Sequence, residues 1–136
     1  MKDYKKIFLE EYCVEKIDCV CQKCQKEFFD IIPFGYELVS FCVEGGERVF
    51  LPTYGKNGYL YLLKELVPEW NENKEINYTI IRLFENRICK YTPYKITTNN
   101  KTLCPQCKSD LIKIFKRTTV ENYPVKWMEI DRDILV

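Results

Sequence analysis

The sequence predicts an α+β chain, and three observations carry that prediction. Two C-x-x-C turns, Cys21/Cys24 and Cys104/Cys107, each stand beside segments of alternating apolar residues. A Gly45-Gly46 pair divides two further segments of the same kind. Between these, residues 58–67 and 73–88 carry apolar residues at helical spacing. Strands near both ends with helices grouped between them form the α+β pattern.

Taken in order, Tyr4, Phe8 and Tyr12 stand at i, i+4 spacing and predict a helix over 4–16. "IDCVCQKCQKEFFDII" (17–32) predicts a strand, a tight cysteine turn and a second strand. In "YELVSFCVEGGERVFLP" (36–52), Val39, Phe41 and Val43 alternate with Ser40, Cys42 and Glu44. Gly45-Gly46 then supplies a turn that needs φ > 0, Arg48 to Leu51 returns as a hairpin, and Pro52 ends it. Asn57 is placed to cap a helix over 58–67, with Tyr59, Leu62, Leu63 and Leu66 on its apolar face and Pro68 as its stop. Asn73 is placed to cap a second helix with a stripe of Ile76, Ile80, Phe84 and Ile88 flanked by Leu83. The short "PEWNEN" link makes the two a helical hairpin. A polar connection turns at Asn99-Asn100. In "SDLIKIFKR", Leu111, Lys113 and Phe115 alternate with Ile112, Ile114 and Lys116, which predicts a strand buried on at least one side. The tail, "VKWMEIDRDILV", is apolar enough to dock.

Apolar residues make up 46% of the 136 positions and aromatics 15%, a composition that argues against disorder. A chain of this length can bury a core without relying on staples. It has no apolar run of membrane-spanning length. "MKDYKKIFLEEY" is charged throughout, unlike an export signal, so the expected compartment is the cytoplasm. In that reducing setting the eight cysteines are expected to be metal ligands or free thiols rather than disulfides. Charge is unevenly placed. Residues 82–117 hold nine bases against Glu85 and Asp110, so that segment is +7 within a chain of net charge +1.

Zinc takes four ligands in a tetrahedron, and a C-x-x-C turn lets two sulfurs reach one ion. The two turns together supply four thiolates: Cys21, Cys24, Cys104 and Cys107. The chain has no histidine, so a zinc site must be all-cysteine or use carboxylate. Four cysteines leave no open position for water, which predicts one structural Zn²⁺ per chain rather than a catalytic one. "CPQCKSDL" and "CQKCQKEF" resemble the knuckles of the zinc-ribbon group of folds over some thirty residues. The usual pattern places glycine after the second cysteine of each knuckle, where this chain has Gln25 and Lys108. The knuckles are also separated by 79 residues, 25–103. The resemblance therefore implies zinc-ribbon-like antiparallel strands joined by a split four-cysteine site, with a β-hairpin and a helical hairpin inserted. Loop-closure cost rises only logarithmically with length, so such an insertion is tolerable. The expected organisation is a single domain: ribbon halves at about 17–32 and 102–117, the insertion at about 33–100 and a tail at 118–136. C-P-x-C is also familiar in redox pairs, but those sit between a strand and a helix, whereas a period-two segment follows Cys107. Cys19 stands close enough to Cys21 to exchange as a ligand. Cys13, Cys19, Cys42 and Cys89 otherwise read as small buried or partly exposed thiols.

Without histidine there is no imidazole base and no Ser-His or Cys-His dyad. The pairs Glu10/Glu11, Glu44/Glu47 and Asp131/Asp133 read as surface or turn residues, and "EGGE" lacks the Gly-Lys-Ser/Thr ending of a phosphate loop. The expectation is a non-enzymatic binding module, with no small-molecule substrate and no membrane indicated. Its leading form binds a protein partner, as an inhibitor, immunity or adaptor type, through Tyr54, Tyr59, Tyr61 and Trp70. The alternative binds nucleic acid through Lys90, Lys95, Lys113, Lys116 and Arg117, interleaved with Tyr91 and Tyr94. Against that alternative, the chain is near neutral, with a pI of about 7.4.

Overall fold

The computed structural model describes residues 4–5, 12–44, 47–98 and 101–134. In chain order these form β1 (Tyr4–Lys5), β2 (Tyr12–Cys21), β3 (Glu27–Pro33), β4 (Leu38–Val43) and β5 (Arg48–Pro52). Helices α1 (Tyr59–Leu66) and α2 (Tyr78–Ile88) follow, then β6 (Ile96–Thr97), β7 (Ile112–Tyr123), β8 (Ile130–Asp131) and a 3₁₀ turn at Arg132–Ile134. Two antiparallel three-stranded sheets, β3-β2-β7 and β5-β4-β6, stand beside a short β1-β8 pair. The architecture is α+β.

β2 is the middle strand of the first sheet. It runs antiparallel to β3 from Val14↔Pro33 to Val20↔Glu27, and to β7 from Tyr12↔Tyr123 to Cys21↔Ile112. This pairing corrects the helix predicted over 4–16. Residues 4–5 and 12–16 are strand, and 6–11 lie outside the described residues. Two flanking ladders outweigh a local i, i+4 pattern, because strand preference is set mainly by tertiary partners.

The main core forms where both helices pack on the second sheet. Phe41, Val49 and Leu51 from the sheet meet Leu62, Leu63, Phe84 and Ile88 from the helices, all buried. Tyr59 and Phe84 make an edge-to-face pair at 5.2 Å between ring centroids, and Phe41 sits 5.7 and 6.0 Å from the two. A second cluster of Val14, Leu38, Phe50, Val125 and Trp127 joins the first sheet to the second. The tail docks as expected. Phe50 N–H donates to Lys126 O at 2.9 Å, Met128 N–H donates to Phe50 O at 3.0 Å, and Met128 and Ile130 complete the main core.

The helix faces match their predicted residues except Ile76, which precedes α2, but the caps do not. Gly58, not Asn57, is the N-cap of α1. A Cβ at Gly58 would stand 2.8 Å from both Pro52 O and Tyr54 O, so only glycine fits there. Asn57 instead takes the left-handed region, φ 64°. Asn77 caps α2 by accepting from Ile80 N–H at 3.0 Å, while Asn73 donates its N–H to the Asn71 side chain. The turns predicted at Gly45-Gly46 and Asn99-Asn100 lie outside the described residues. β7 also departs from its expected burial. It extends to Tyr123 and is exposed along most of its length, because among the described residues it pairs only with β2 and no helix covers it.

Candidate metal centre

The first C-x-x-C turn joins β2 to β3 and the second precedes β7, and the two turns share one backbone plan. In the first, Cys21 N–H donates to Lys26 O (2.9 Å) and Gln25 N–H donates to Cys21 O (2.8 Å). In the second, Cys104 N–H donates to Ser109 O (2.9 Å) and Lys108 N–H donates to Cys104 O (2.9 Å). Gln25 and Lys108, one residue past the second cysteine, hold φ of 66° and 63°. Non-glycine residues thus occupy the left-handed positions that the motif usually gives to glycine. Amides then point at sulfur. Cys24 N–H approaches Cys21 Sγ at 3.4 Å, and the Gln106 and Cys107 amides approach Cys104 Sγ at 3.4 and 3.5 Å.

The β2–β7 ladder brings the turns together, helped by Gln22 N–H donating to Leu111 O at 2.8 Å. Cys21 Sγ lies 3.5 Å from Cys107 Sγ, Cys24 Sγ lies 3.5 Å from Cys104 Sγ, and all four sulfurs fall within 4.8 Å of one another. The edge of a thiolate tetrahedron with Zn–S bonds of ~2.3 Å is ~3.8 Å, so the group has the dimensions to hold one metal ion. Cys21 and Cys104 are buried, and Cys24 and Cys107 are partly exposed.

Electrostatics divides the thiols. At Cys21 the Cys24 amide outweighs desolvation and lowers the thiol below its ordinary value. Desolvation raises Cys104, but the Cys107 and Gln106 amides and the neighbouring thiols reverse this and bring it down to about 6. The Lys26 amide lowers Cys24, but desolvation and hydrogen bonding with the other three thiols prevail and push it up to about 12. Four crowded sulfurs cannot all ionise unaided, because each thiolate opposes the next. A divalent cation would remove that conflict.

Among the described residues no second cluster of metal-binding side chains occurs. Cys19 is buried and donates to Ile17 O at 3.6 Å, and burial with the Asp30 and Asp18 carboxylates raises its thiol. Burial likewise raises Cys42. Both are thiols outside the four-sulfur group.

The other predicted residues scatter. Tyr54 is 62% exposed, whereas Tyr59 is 7% and Trp70 5% exposed. Tyr59 and Trp70 therefore belong to the core, and Trp70 Nε1–H donates to Lys74 O at 3.0 Å, which fixes its ring. Tyr61 is half-buried against the same core. Tyr91 and Tyr94 also pack there. The Tyr94 hydroxyl accepts from Glu129 N–H at 2.8 Å, and Tyr91 O accepts from Asp131 N–H at 2.6 Å, so both fasten the tail. Lys90 and Lys95 are exposed beyond α2, while Lys113, Lys116 and Arg117 are exposed on β7, with Arg117 paired to Glu15.

Two groups escaped the sequence reading. Asp30 on β3 receives Arg48 Nη2 at 2.8 Å, Arg48 Nε at 3.2 Å and Thr102 Oγ1 at 2.8 Å. One carboxylate thus links both sheets to the segment entering the second turn. Beside it a cavity of about 510 Å³ opens between Phe28, Phe29, Val43, Leu103 and Pro105. Phe34 and Tyr36 are exposed in the loop before β4, and Thr53 N–H donates to Glu37 O at 2.9 Å, which sets that loop against the one carrying Tyr54. Gly35 and Gly55, at φ 78° and 92°, shape the two loops.

No protein-family model, curated protein or solved structure matches this chain. Among the described residues, no helix is long and apolar enough to cross a membrane.

Proposed function

We propose that the chain is a small, non-enzymatic protein-binding module whose scaffold is fastened by one structural zinc ion. The observation that carries this reading is the group of four sulfurs within 4.8 Å of one another. Thiolate softness and the absence of histidine favour zinc among common divalent ions, and four protein ligands leave no coordination position for a substrate. On this reading Cys21, Cys24, Cys104 and Cys107 hold the ion in a zinc-ribbon-like arrangement of β2, β3 and β7. The ion supplies cross-linking rather than chemistry. The exposed aromatics Phe34, Tyr36 and Tyr54, gathered on neighbouring loops, support a protein partner, since aromatic side chains are favoured at interface centres.

Protein purified without chelator is expected to contain about one zinc per chain, and Cys104→Ser to lower that content and the stability together. A folded, metal-free full chain would refute the zinc assignment. For the partner, Tyr36→Ala with Tyr54→Ala should release a captured protein complex while leaving zinc content unchanged. A complex indifferent to that pair would remove the aromatic loops from the reading.

Nucleic-acid binding is a second reading, favoured by Lys113 and Lys116, which are exposed beside exposed Phe115 on one strand. It predicts a salt-sensitive gel shift of generic DNA or RNA that charge reversal at these lysines abolishes. No shift at about 50 mM salt would dismiss it.

A further inference from the structure

β7 is a strand of twelve residues with a single neighbour, β2, among the described residues. Alternate backbone N–H and C=O groups along such a strand point away from that neighbour. An edge of this kind is a template for another strand, and folded proteins usually shorten or cover it. Here it stays long, and its side chains are left outside as well. Leu111 just before it, Ile114 and Phe115 are exposed, with Phe115 at 56%. Lys113 and Lys116 alternate with these apolar residues and are themselves exposed.

Two features discourage a second copy of the chain on this edge. The ladder with β2 shifts register between Asp18 and Cys19, where β7 carries the extra residue Phe115, and again near Tyr123, where Asn122 takes φ 54°. Such bulges bend an edge away from a flat, self-complementary shape. The exposed cations add repulsion between like edges. The same cations favour acidic side chains on an incoming strand.

We infer that β7 is a docking edge for an extended, acidic segment of a protein partner, which adds to the β3-β2-β7 sheet as a fourth strand. Main-chain hydrogen bonds to β7 give the attachment. Alternate apolar side chains of the incoming segment rest on Ile114 and Phe115, and its carboxylates meet Lys113 and Lys116. This rests on the reading of the chain as a protein-binding module but uses a surface separate from the aromatic loops.

The test uses the zinc-loaded full chain and three fluorescein-labelled decapeptides followed by polarisation. One alternates valine with glutamate, one alternates valine with lysine, and one is the glutamate peptide N-methylated at every residue, so that neither of its edges keeps an N–H donor. The glutamate peptide should bind, at least about tenfold more tightly than the lysine peptide, and should weaken as salt rises. The N-methylated peptide should not bind, because its main chain can no longer complete a ladder. Lys113→Glu with Lys116→Glu should reverse the preference. Folding of that variant is checked by its zinc content, since neither lysine is a ligand. Equal binding of the N-methylated peptide, equal binding of the two charge types, or no binding of any would overturn the inference. A concentration-dependent dimer that Phe115→Asp dissolves would assign the edge to a second copy instead and overturn it too. Capture of a protein that Tyr36→Ala with Tyr54→Ala releases but the charge-reversed variant retains would remove only this inference and leave the module reading intact.

Discussion

Gln25 and Lys108 hold a conformation that costs an L-residue roughly 1–2 kcal/mol, yet they sit at equivalent points of two turns aimed at the same four sulfurs. Glycine would relieve that strain while adding about 0.5–1 kcal/mol of unfolded-state entropy cost. Gln25→Gly and Lys108→Gly are therefore each expected to stabilise the fold by a net ~0.5 kcal/mol, read from denaturant midpoints. Glu69 presents a second residue-scale case. The Arg87 guanidinium, with Nη2 2.7 Å from its carboxylate, lowers Glu69 from 4.5 to about 2. A depressed carboxyl stabilises the folded state above its unfolded value and loses that contribution as pH falls through the folded value. The stability difference between the native chain and Glu69→Gln should hold constant above pH 4.5 and close as the pH approaches 2. At this scale the sulfur ligands were legible because a C-x-x-C pair is a local pattern. The Asp30–Arg48–Thr102 group was not, since its members are eighteen and seventy-two residues apart and no spacing rule joins them.

At the scale of elements, burial decides which patterns could be read. The α1 and α2 faces were visible because Leu62, Leu63, Phe84 and Ile88 repeat with the helical period and meet one core. Phe84→Ala should cost about 3–5 kcal/mol, as its ring touches both Phe41 and Tyr59 and leaves a cavity that the sheet cannot collapse into. The caps were missed by one residue at α1 and by four at α2, because Asn57 and Gly58 compete at the first start and Asn71, Asn73 and Asn77 at the second, and only the surrounding backbone selects among them. β2 was hidden for a different reason: Tyr12 and Val14 take their meaning from β3 and β7, not from their neighbours in sequence. Between the sheets, Arg48→Ala is expected to cost roughly 3 kcal/mol, since it strands the Asp30 carboxylate in a largely buried site. Arg48→Lys should recover only part, because an ammonium cannot reproduce the two-pronged contact.

For the whole molecule, metal and protons should be linked. Cys24 at about 12 is protonated at neutral pH, whereas a zinc-bound thiolate is not. Loading the metal-free chain with zinc should therefore release at least about one proton per ion, detectable as acidification in weak buffer, and acid should weaken binding. Removal of the ion by a strong chelator should loosen the β2–β7 end before the helix-covered core, so amide exchange should rise first near Gln22 and Ile112. An exchange pattern led by α2 would contradict that order.

The wide separation of the two cysteine turns also bears on how the chain is made. Synthesis proceeds from the N-terminus, so β2 and β3 emerge with only two of the four sulfurs and without β7. A polypeptide halted anywhere before Cys104 would carry a half-built clasp: two thiols and the central strand with one side open. If a metal ion joins the four sulfurs, only a nascent chain that has extended past Cys107 can fasten β2 and β3 in this way.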